Sequence, residues 1–570
     1  MPSVDLAHDL PEEVLANVVS QCERGSLLAL CQCSKTLNRL ATPYLYSHIR
    51  LRKQWSRFGV SAHLLPLTWL LLTSAPHAEC VQSLAVQVGK NDCPPVEHFG
   101  NDVTAPEGYS PKKPWGVPDG KRLEMRLRGA CGEHTKSEED ANELYELIKG
   151  GEKEGAIVIL LLTRLHNLRT FDFCECIGSC DAMVRALELV SGGSWGRLGG
   201  DIDPSTSVDD KTTVSRKSLA IMVSGIEVKL PNNLRHVPAF LKIPTIQSLY
   251  AWKPGEFRDV GEEPRDNPFY RLQERSCRTE YVELRRAKLY HTHFDKLMKA
   301  FIPGTLKTLV YEVGCTWVCV VVSHPRILKS LRPHYQTLER LELSHEDRYH
   351  QFDDDTDHLW PIQFTSFTNL KKLKVAPVYI WGVDGTTMEW KIKDPSLIGM
   401  LRDALPPTLD ELWITRVNTH GYHPEYISAV LIPALYSLVE HRESFPLLKN
   451  LYIAFNSNMG ELDWLNDIHA FATFARCYGI TLRAKLTDKV GLERGWGWDE
   501  SVQWETCNQN SGNNFPLIVV AEEKDMHETL MNLGAKVKDR DREDIYHPSV
   551  LLIPHVSRCR PTLISNSLLP

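Results

Sequence analysis

One short pattern recurs along this chain and restricts its fold more than any other feature. The pattern is L-x-x-L-x-L with conservative variants. It reads Leu306-x-x-Leu309-x-Tyr311, Leu338-x-x-Leu341-x-Leu343, Leu370-x-x-Leu373-x-Val375, Leu409-x-x-Leu412-x-Ile414 and Leu448-x-x-Leu451-x-Ile453. Successive starts differ by 32, 32, 39 and 39 residues. Weaker copies stand at Val81-x-x-Leu84-x-Val86, Leu168-x-x-Phe171-x-Phe173 and Ile246-x-x-Leu249. The last two apolar positions of a copy are two apart, the period of a strand that turns them to one side. Helix-like stretches precede several copies, at 157–165, 294–301, 397–405 and 426–441, and 464–477 leads likewise into Ile480-Thr481-Leu482. Units of this kind bury their apolar sides only by stacking on neighbours.

The expected fold class is therefore α/β, with a leucine-rich-repeat-like α/β solenoid over residues 60–486. The units are longer than the roughly 20–29 residues usual for such repeats. The Asn or Cys expected eight positions after the first Leu occurs only as Cys176 and Asn456. An ordinary α/β domain with parallel strands is the alternative; five strong copies on two recurring spacings favour the solenoid. At 570 residues the chain is too long for one ordinary core, which suits an array. Three regions break the period. Residues 90–150 are rich in Pro, Gly and charge and read as a long loop or partly disordered insertion. Residues 191–217 read as a mobile loop. Residues 487–570 read as a C-terminal extension, Trp-rich at Trp496, Trp498 and Trp504, with a helix expected over 526–533.

Composition narrows the class further. Apolar residues make up 42% and charged residues 24%, an ordinary soluble composition, and the formal net charge of −7 argues against a general basic surface for nucleic acid. The longest apolar runs, 156–162 and 317–322, fall far short of the ~20 residues of a membrane span. The start, MPSVDLAHDLPEE, does not read as a secretory signal. Fifteen scattered cysteines and no N-x-[ST] acceptor favour a reducing compartment, cytoplasm or nucleus.

Residues 9–50 read DLPEEVLANVVSQCERGSLLALCQCSKTLNRLATPYLYSHIR. Asp9 and Pro11 suit a helix start, and Glu12 and Glu13 suit its positive end. Leu10, Val14, Leu15 and Val18 then form one apolar face. Ser26 can cap a second helix carrying Leu27, Leu28, Leu30 and Cys31; a third carries Leu37, Leu40 and Ala41 before Pro43, and Tyr44, Leu45, Tyr46 and Ile49 follow. Three short helices cannot hide that many apolar positions. The surplus implies a partner surface or packing on the next domain.

Leu10-Pro11-Glu12-Glu13-Val14-Leu15, the segment Leu27 to Lys35, and Pro43-Tyr44-Leu45-Tyr46-Ser47-His48-Ile49-Arg50-Leu51 together resemble the F-box, the last segment in its fungal form. Where the family often has an aromatic residue in its third helix, this chain has Thr36-Leu37. The resemblance implies a three-helix module over 1–51 that inserts into the Skp adaptor and, through it, joins a cullin scaffold. By position, the inserted side chains would come from Leu10, Pro11, Val14, Leu15, Leu28, Leu30 and Leu37. It further implies a non-catalytic substrate-recognition subunit of a Skp–cullin–F-box ubiquitin ligase, needing no cofactor. An F-box scaffold working outside the ligase is the alternative.

If the repeat leucines point inward, the residues between them line the other sheet face. Arg340, Glu342, Lys372, Lys374, Trp413 and Tyr452 are the substrate-binding candidates there, mixing both charges with exposed aromatics suited to protein recognition. A solvated face with Trp413 covered is the alternative. Other suggestive groups carry less. Gly192-Gly193-Ser194-Trp195-Gly196 is a G-x-S-x-G, but a helix-like stretch precedes it where a nucleophile elbow needs a strand, so a Ser194 hydrolase ranks far behind. Cys174, Cys176 and Cys180 lack a second zinc pair, and His291-x-His293-x-Asp295 lacks further ligands. His345-Glu346-Asp347 and 353–355 read as a solvated acidic loop.

Overall fold

A computed structural model of the chain describes residues 10–51, 64–88, 120–149, 153–175, 181–191, 226–230, 236–243, 246–252, 269, 272–287, 289–314, 324–345, 363–381, 396–415, 427–456, 464–487 and 518–519. The N-terminal module is three helices, α1 (Glu12–Ser20), α2 (Arg24–Cys33) and α3 (Lys35–Ser47). Strand β1 (His48–Leu51) follows α3 directly. Then come α4 (Leu64–Thr73), α5 (Ala75–Cys80) and β2 (Ser83–Val88). Helices α6 (Gly120–His134), α7 (Glu138–Lys149) and α8 (Lys153–Leu162) lead to β3 (Thr170–Glu175). Helix α9 (Asp181–Ser191) precedes β4 (Ile226–Leu230), α10 (His236–Leu241) precedes β5 (Ile246–Trp252), and β6 (Tyr281–Ala287) follows. Next are α11 (His291–Ala300), β7 (Thr308–Val313), α12 (His324–Ser330), β8 (Arg340–His345) and β9 (Lys372–Val375). The chain continues with α13 (Pro377–Trp381), α14 (Ser396–Ala404), β10 (Glu411–Ile414), α15 (Ile432–Glu440), β11 (Asn450–Asn456), α16 (Trp464–Cys477), β12 (Thr481–Thr487) and β13 (Ile518–Val519).

The strands form one sheet in chain order, β1 to β13. β1 to β12 pair in parallel, each with its sequence neighbours, and β13 is antiparallel to β12. Parallel neighbours need a crossover of a dozen or more residues, and among the described residues helices occupy these connections except between β5 and β6 and between β8 and β9. The α/β class is thus the observed one.

The repeat leucines make the core. Leu306, Leu309, Leu338, Leu341, Leu370, Leu373, Leu409, Leu412, Leu448 and Leu451 are all buried, as are Val81, Leu168 and Ile246 of the weaker copies. They belong to one continuous apolar cluster running from Ile49 to Ala484. A second repeat-encoded feature sits one residue before each strand. The Glu280 carbonyl accepts from the N–H groups of both Lys307 and Thr308, at 2.9 and 3.0 Å. Lys307 does the same for Glu339 and Arg340, Glu339 for Lys371 and Lys372, Lys371 for Asp410 and Glu411, and Asp410 for Lys449 and Asn450. The side chains at these positions alternate in sign across six strands. Ion pairs follow at Glu280–Lys307 (2.7 Å), Glu339–Lys371 (2.9 Å) and Asp410–Lys449 (4.0 Å). A one-strand slip would set like charges side by side.

Local stops are equally physical. Helix α16 ends at Gly479, whose φ of +71° suits a residue without Cβ. The Ile480 N–H bonds the Ala475 carbonyl and the Gly479 N–H bonds that of Arg476, the paired closure of a Schellman motif. Helix α8 is buried on all sides, and a Cβ at Gly155 would meet the Cβ of Met183 on α9 at 2.8 Å.

Three expectations need correction. Residues 120–149 are not loop: α6 buries Leu123, Leu127, Ala130 and Cys131, and α7 buries Leu144, Tyr145 and Ile148. The Pro and Gly of the window concentrate before 120, and averaging over 90–150 hid two amphipathic helices. Residues 48–51 are not part of the N-terminal module but the first strand of the sheet. Pro43 does not end α3, which runs on to Ser47. Residues 90–119, 192–217 and most of 487–570, including the helix expected over 526–533, lie outside the described residues.

Candidate functional site

The N-terminal module has a very small interior. Val19, Leu27 and Ala41 are its buried centre, with Cys22, Leu30, Cys31, Leu40 and Leu45 packed around it. The Ser34 hydroxyl caps α3 by accepting from the Leu37 N–H at 3.1 Å. Arg39 on α3 pairs with Glu12 on α1 at 2.6 Å. Several large apolar side chains stay outside: Val14 is 42% exposed, Val18 55%, Leu28 53% and Tyr44 41%. Val14 and Val18 are one turn apart on α1, so they share a face.

Of the seven expected adaptor-binding residues, Pro11, Val14 and Leu28 are exposed, and Leu10, Leu30 and Leu37 are half-buried. Leu15 is buried, which corrects its expected role: it faces inward. Val18 and Tyr44 join the exposed set instead. Helical spacing from Val14 already marked Val18, whereas Tyr44 needed the continuation of α3 past Pro43.

The module is joined to the sheet without slack. The Gln82 N–H bonds the Ser47 carbonyl at 2.9 Å, and Tyr46 sits edge-on to His77 of α5 at 4.8 Å. Ile49 and Tyr46 reach the main core. The direct step from α3 to β1 therefore ties the orientation of the exposed apolar patch to the sheet.

The opposite feature lies on the sheet face turned away from the repeat leucines. Register places Glu283, Val310, Glu342, Lys374, Trp413, Tyr452 and Arg483 in one row across β6 to β12. The sequence reading brought four of the candidates to this row, and the structure corrects their surroundings. Glu342, Lys374, Trp413 and Tyr452 are buried, so the aromatics are not the exposed ones expected. Arg340 is exposed; Lys372 is half-buried and pairs with Glu411 at 2.9 Å.

The reason is mutual satisfaction. Strands about 4.8 Å apart let long side chains reach one or two strands across. Arg285 on β6 spans to Glu342 on β8 with two bonds, at 2.5 and 3.0 Å, passing the small Val310. Its Nε donates to Glu283 at 2.7 Å, and Nη1 lies 3.4 Å from Glu312. Lys374 approaches Glu342 at 3.5 Å, Ser344 donates to it at 3.1 Å, and Tyr281 donates to Glu283 at 2.5 Å. Burial opposes the charge on Arg285, yet Glu342, Glu283 and Glu312 hold its pKa well above the usual value. Burial, then the Glu283 carboxylate, push the Tyr281 phenol up. Beside this network Trp413 and Tyr452 stack face to face, 3.4 Å apart at 3°.

Glu283, Arg285 and Arg483 were not among the residues expected on this face. β6 lacks a leading Leu; Thr279 stands there, and its hydroxyl donates to the Ile246 carbonyl at 3.1 Å. T-x-x-V-x-L was the available signal. Elsewhere, Ser194, Cys176 and Cys180, and residues 346–355 lie outside the described residues, and the element leading to Ser194 is the helix α9. His345 is buried at the end of β8. Asp295 pairs with Lys299 at 2.8 Å, and His293 stacks on Phe269. Among the described residues no three His, Cys, Asp or Glu side chains gather to hold a metal, and no helix is long and apolar enough to cross a membrane.

No curated protein matches the chain. Residues 8–43 match the F-box domain, covering the first two helices and most of the third, with the exposed Val14, Val18 and Leu28 just described; the chain carries an F-box domain in its N-terminal module.

Proposed function

We propose that this protein is the substrate-recognition subunit of a Skp–cullin–F-box ubiquitin ligase in the cytoplasm or nucleus. F-box domains generally bind the Skp adaptor, and proteins carrying them are typically non-catalytic adaptors. The observation that carries the reading is the outward apolar set Val14, Val18, Leu28 and Tyr44 on three helices that bury only Leu15, Val19, Leu27 and Ala41. Such a surplus is stable in water chiefly as one side of an interface. The sheet is the selecting part. It is read as a leucine-rich-repeat-like solenoid because successive parallel strands carry L-x-x-L-x-L in one register, and the protein as the fungal type of F-box protein on its segment Pro43 to Leu51. It carries a bound protein at a set orientation to the ligase, since α3 runs directly into β1.

The test is capture of purified Skp adaptor by the full chain and by Val18→Asp/Leu28→Asp. Both positions are exposed, whereas a charge at the buried Leu15 would confuse binding with folding. Loss of capture with an unchanged melting temperature supports the reading; capture equal to wild type refutes it. Recovery of cullin in the same complex separates a ligase subunit from an F-box scaffold.

A further inference from the structure

The buried half of the polar face pairs its charges internally, but its open margin does not. Arg483 on β12 is half-buried and held in place: its Nη1 donates to the Tyr452 hydroxyl at 3.3 Å, and its guanidinium lies 5.4 Å from the Tyr452 ring. Its Nε is buried without a hydrogen-bond partner. No carboxylate pairs with it among the described residues. Arg340 on β8 is exposed and also makes no ion pair there. Between them Lys372 and Glu411 cancel each other at 2.9 Å. The accessible margin thus presents two unpaired guanidinium groups.

Of the five donors of a guanidinium, Arg483 spends one on the Tyr452 hydroxyl, and Arg340 spends none on the described residues. Trp413 and Tyr452 are the backing that orients Arg483, not the contact surface. Carboxylates match guanidinium geometry best.

We propose that this margin, bounded by Arg340 and Arg483, binds an acidic segment of a partner protein. The proposal rests on the reading of the sheet as the substrate-selecting part. From β8 to β12 is four strand steps, about 19 Å, which an extended chain rising about 3.3 Å per residue covers in roughly six residues. The segment therefore carries two carboxylates about six positions apart, lying across the strands.

The test uses the full chain and a fluorescent twelve-residue peptide pool with Asp at two positions six apart and other positions randomised. A matched pool carries Asn at both. The wild type is expected to bind the Asp pool about tenfold or more tightly, since bonds between charged groups are the strong ones. Arg340→Gln and Arg483→Gln should each remove about tenfold, and the double variant should lose the preference. The preference should also shrink as salt is raised. Equal binding of the two pools, no binding of either, or a preference that survives in the double variant overturns the proposal. Should Arg483→Gln lower the melting temperature, exposed Arg340→Gln and charge-retaining Arg483→Lys carry the test. Adaptor capture is read separately: a chain that prefers the Asp pool but does not capture the adaptor refutes the ligase reading and leaves this surface standing.

Discussion

Leu27 and Leu341 are both buried leucines, yet they sit in different kinds of interior. Leu27 shares its cluster with Val19 and Ala41, and the next apolar neighbours are only half-covered. Leu341 lies in register between Leu309 and Leu373, themselves part of a core that runs the length of the sheet. The F-box keeps large apolar side chains outside, while the sheet keeps charged ones inside. Small modules cannot bury everything they carry, so an exposed apolar set is affordable only where a partner completes it. A long array has the opposite problem: its polar face is extensive, and charges that end up covered must find one another.

Breaking the buried charge network should have the largest effect. Arg285→Met removes the cation that three buried carboxylates share and should cost about 3–5 kcal/mol, the usual consequence of breaking a buried ion pair. Urea denaturation measures it; a loss below about 1 kcal/mol would mean the network is not integral to the sheet. Next comes the direct contrast of leucines. Leu341→Ala should cost about 2–5 kcal/mol by opening a cavity, whereas Leu28→Ala should stay within about 0.5 kcal/mol, as exposed substitutions do. Similar melting temperatures for the two would erase the distinction between the regions.

Acid should separate the regions as well. Burial, then the Arg164 charge, push His134 at the end of α6 down to about 4. Both of its ring nitrogens are buried without partners. Its folded pKa lies below the unfolded value, so the unfolded chain binds the extra proton first. Stability should rise with pH between about 4 and 6.5 and be lost on acidification through that window. Helices α1 to α3 contain no histidine. His134→Gln should flatten the thermal-melt profile over this range; an unchanged slope would assign the acid sensitivity elsewhere. A small effect is also expected at the ladder before the strands. Lys371→Ala removes the exposed pair with Glu339 and should cost under about 1 kcal/mol, fading in high salt. A salt-independent loss would point to packing of the lysine stem instead.

The repeat copies were legible because their chemistry is local. Leu306 through Ile453 carry the strand period and the spacing in the letters themselves, and each such leucine is buried where expected. β6 escaped because Thr279 replaces the leading leucine and closes its strand start by a hydrogen bond to another unit. Helices α6 and α7 escaped because their amphipathic positions were averaged with a Pro-rich neighbour. In the F-box, periodicity marked the apolar positions but could not separate Leu15, turned inward, from Val14, turned out, because adjacent positions on a helix differ by only about 100°.

By itself, then, the sequence determined an α/β chain of stacked strand–helix units headed by an F-box-like module with an apolar surplus. These are properties of spacing and composition, written in neighbouring residues. Only the tertiary structure decided which charges are shared. Glu283, Arg285, Glu312, Glu342 and Lys374 lie up to 91 positions apart in the chain, and register alone brings them within hydrogen-bonding reach. Among the described residues, the same register leaves Arg340 and Arg483 without an ion pair, because cancellation depends on which strand lies beside which, and a linear sequence does not state that.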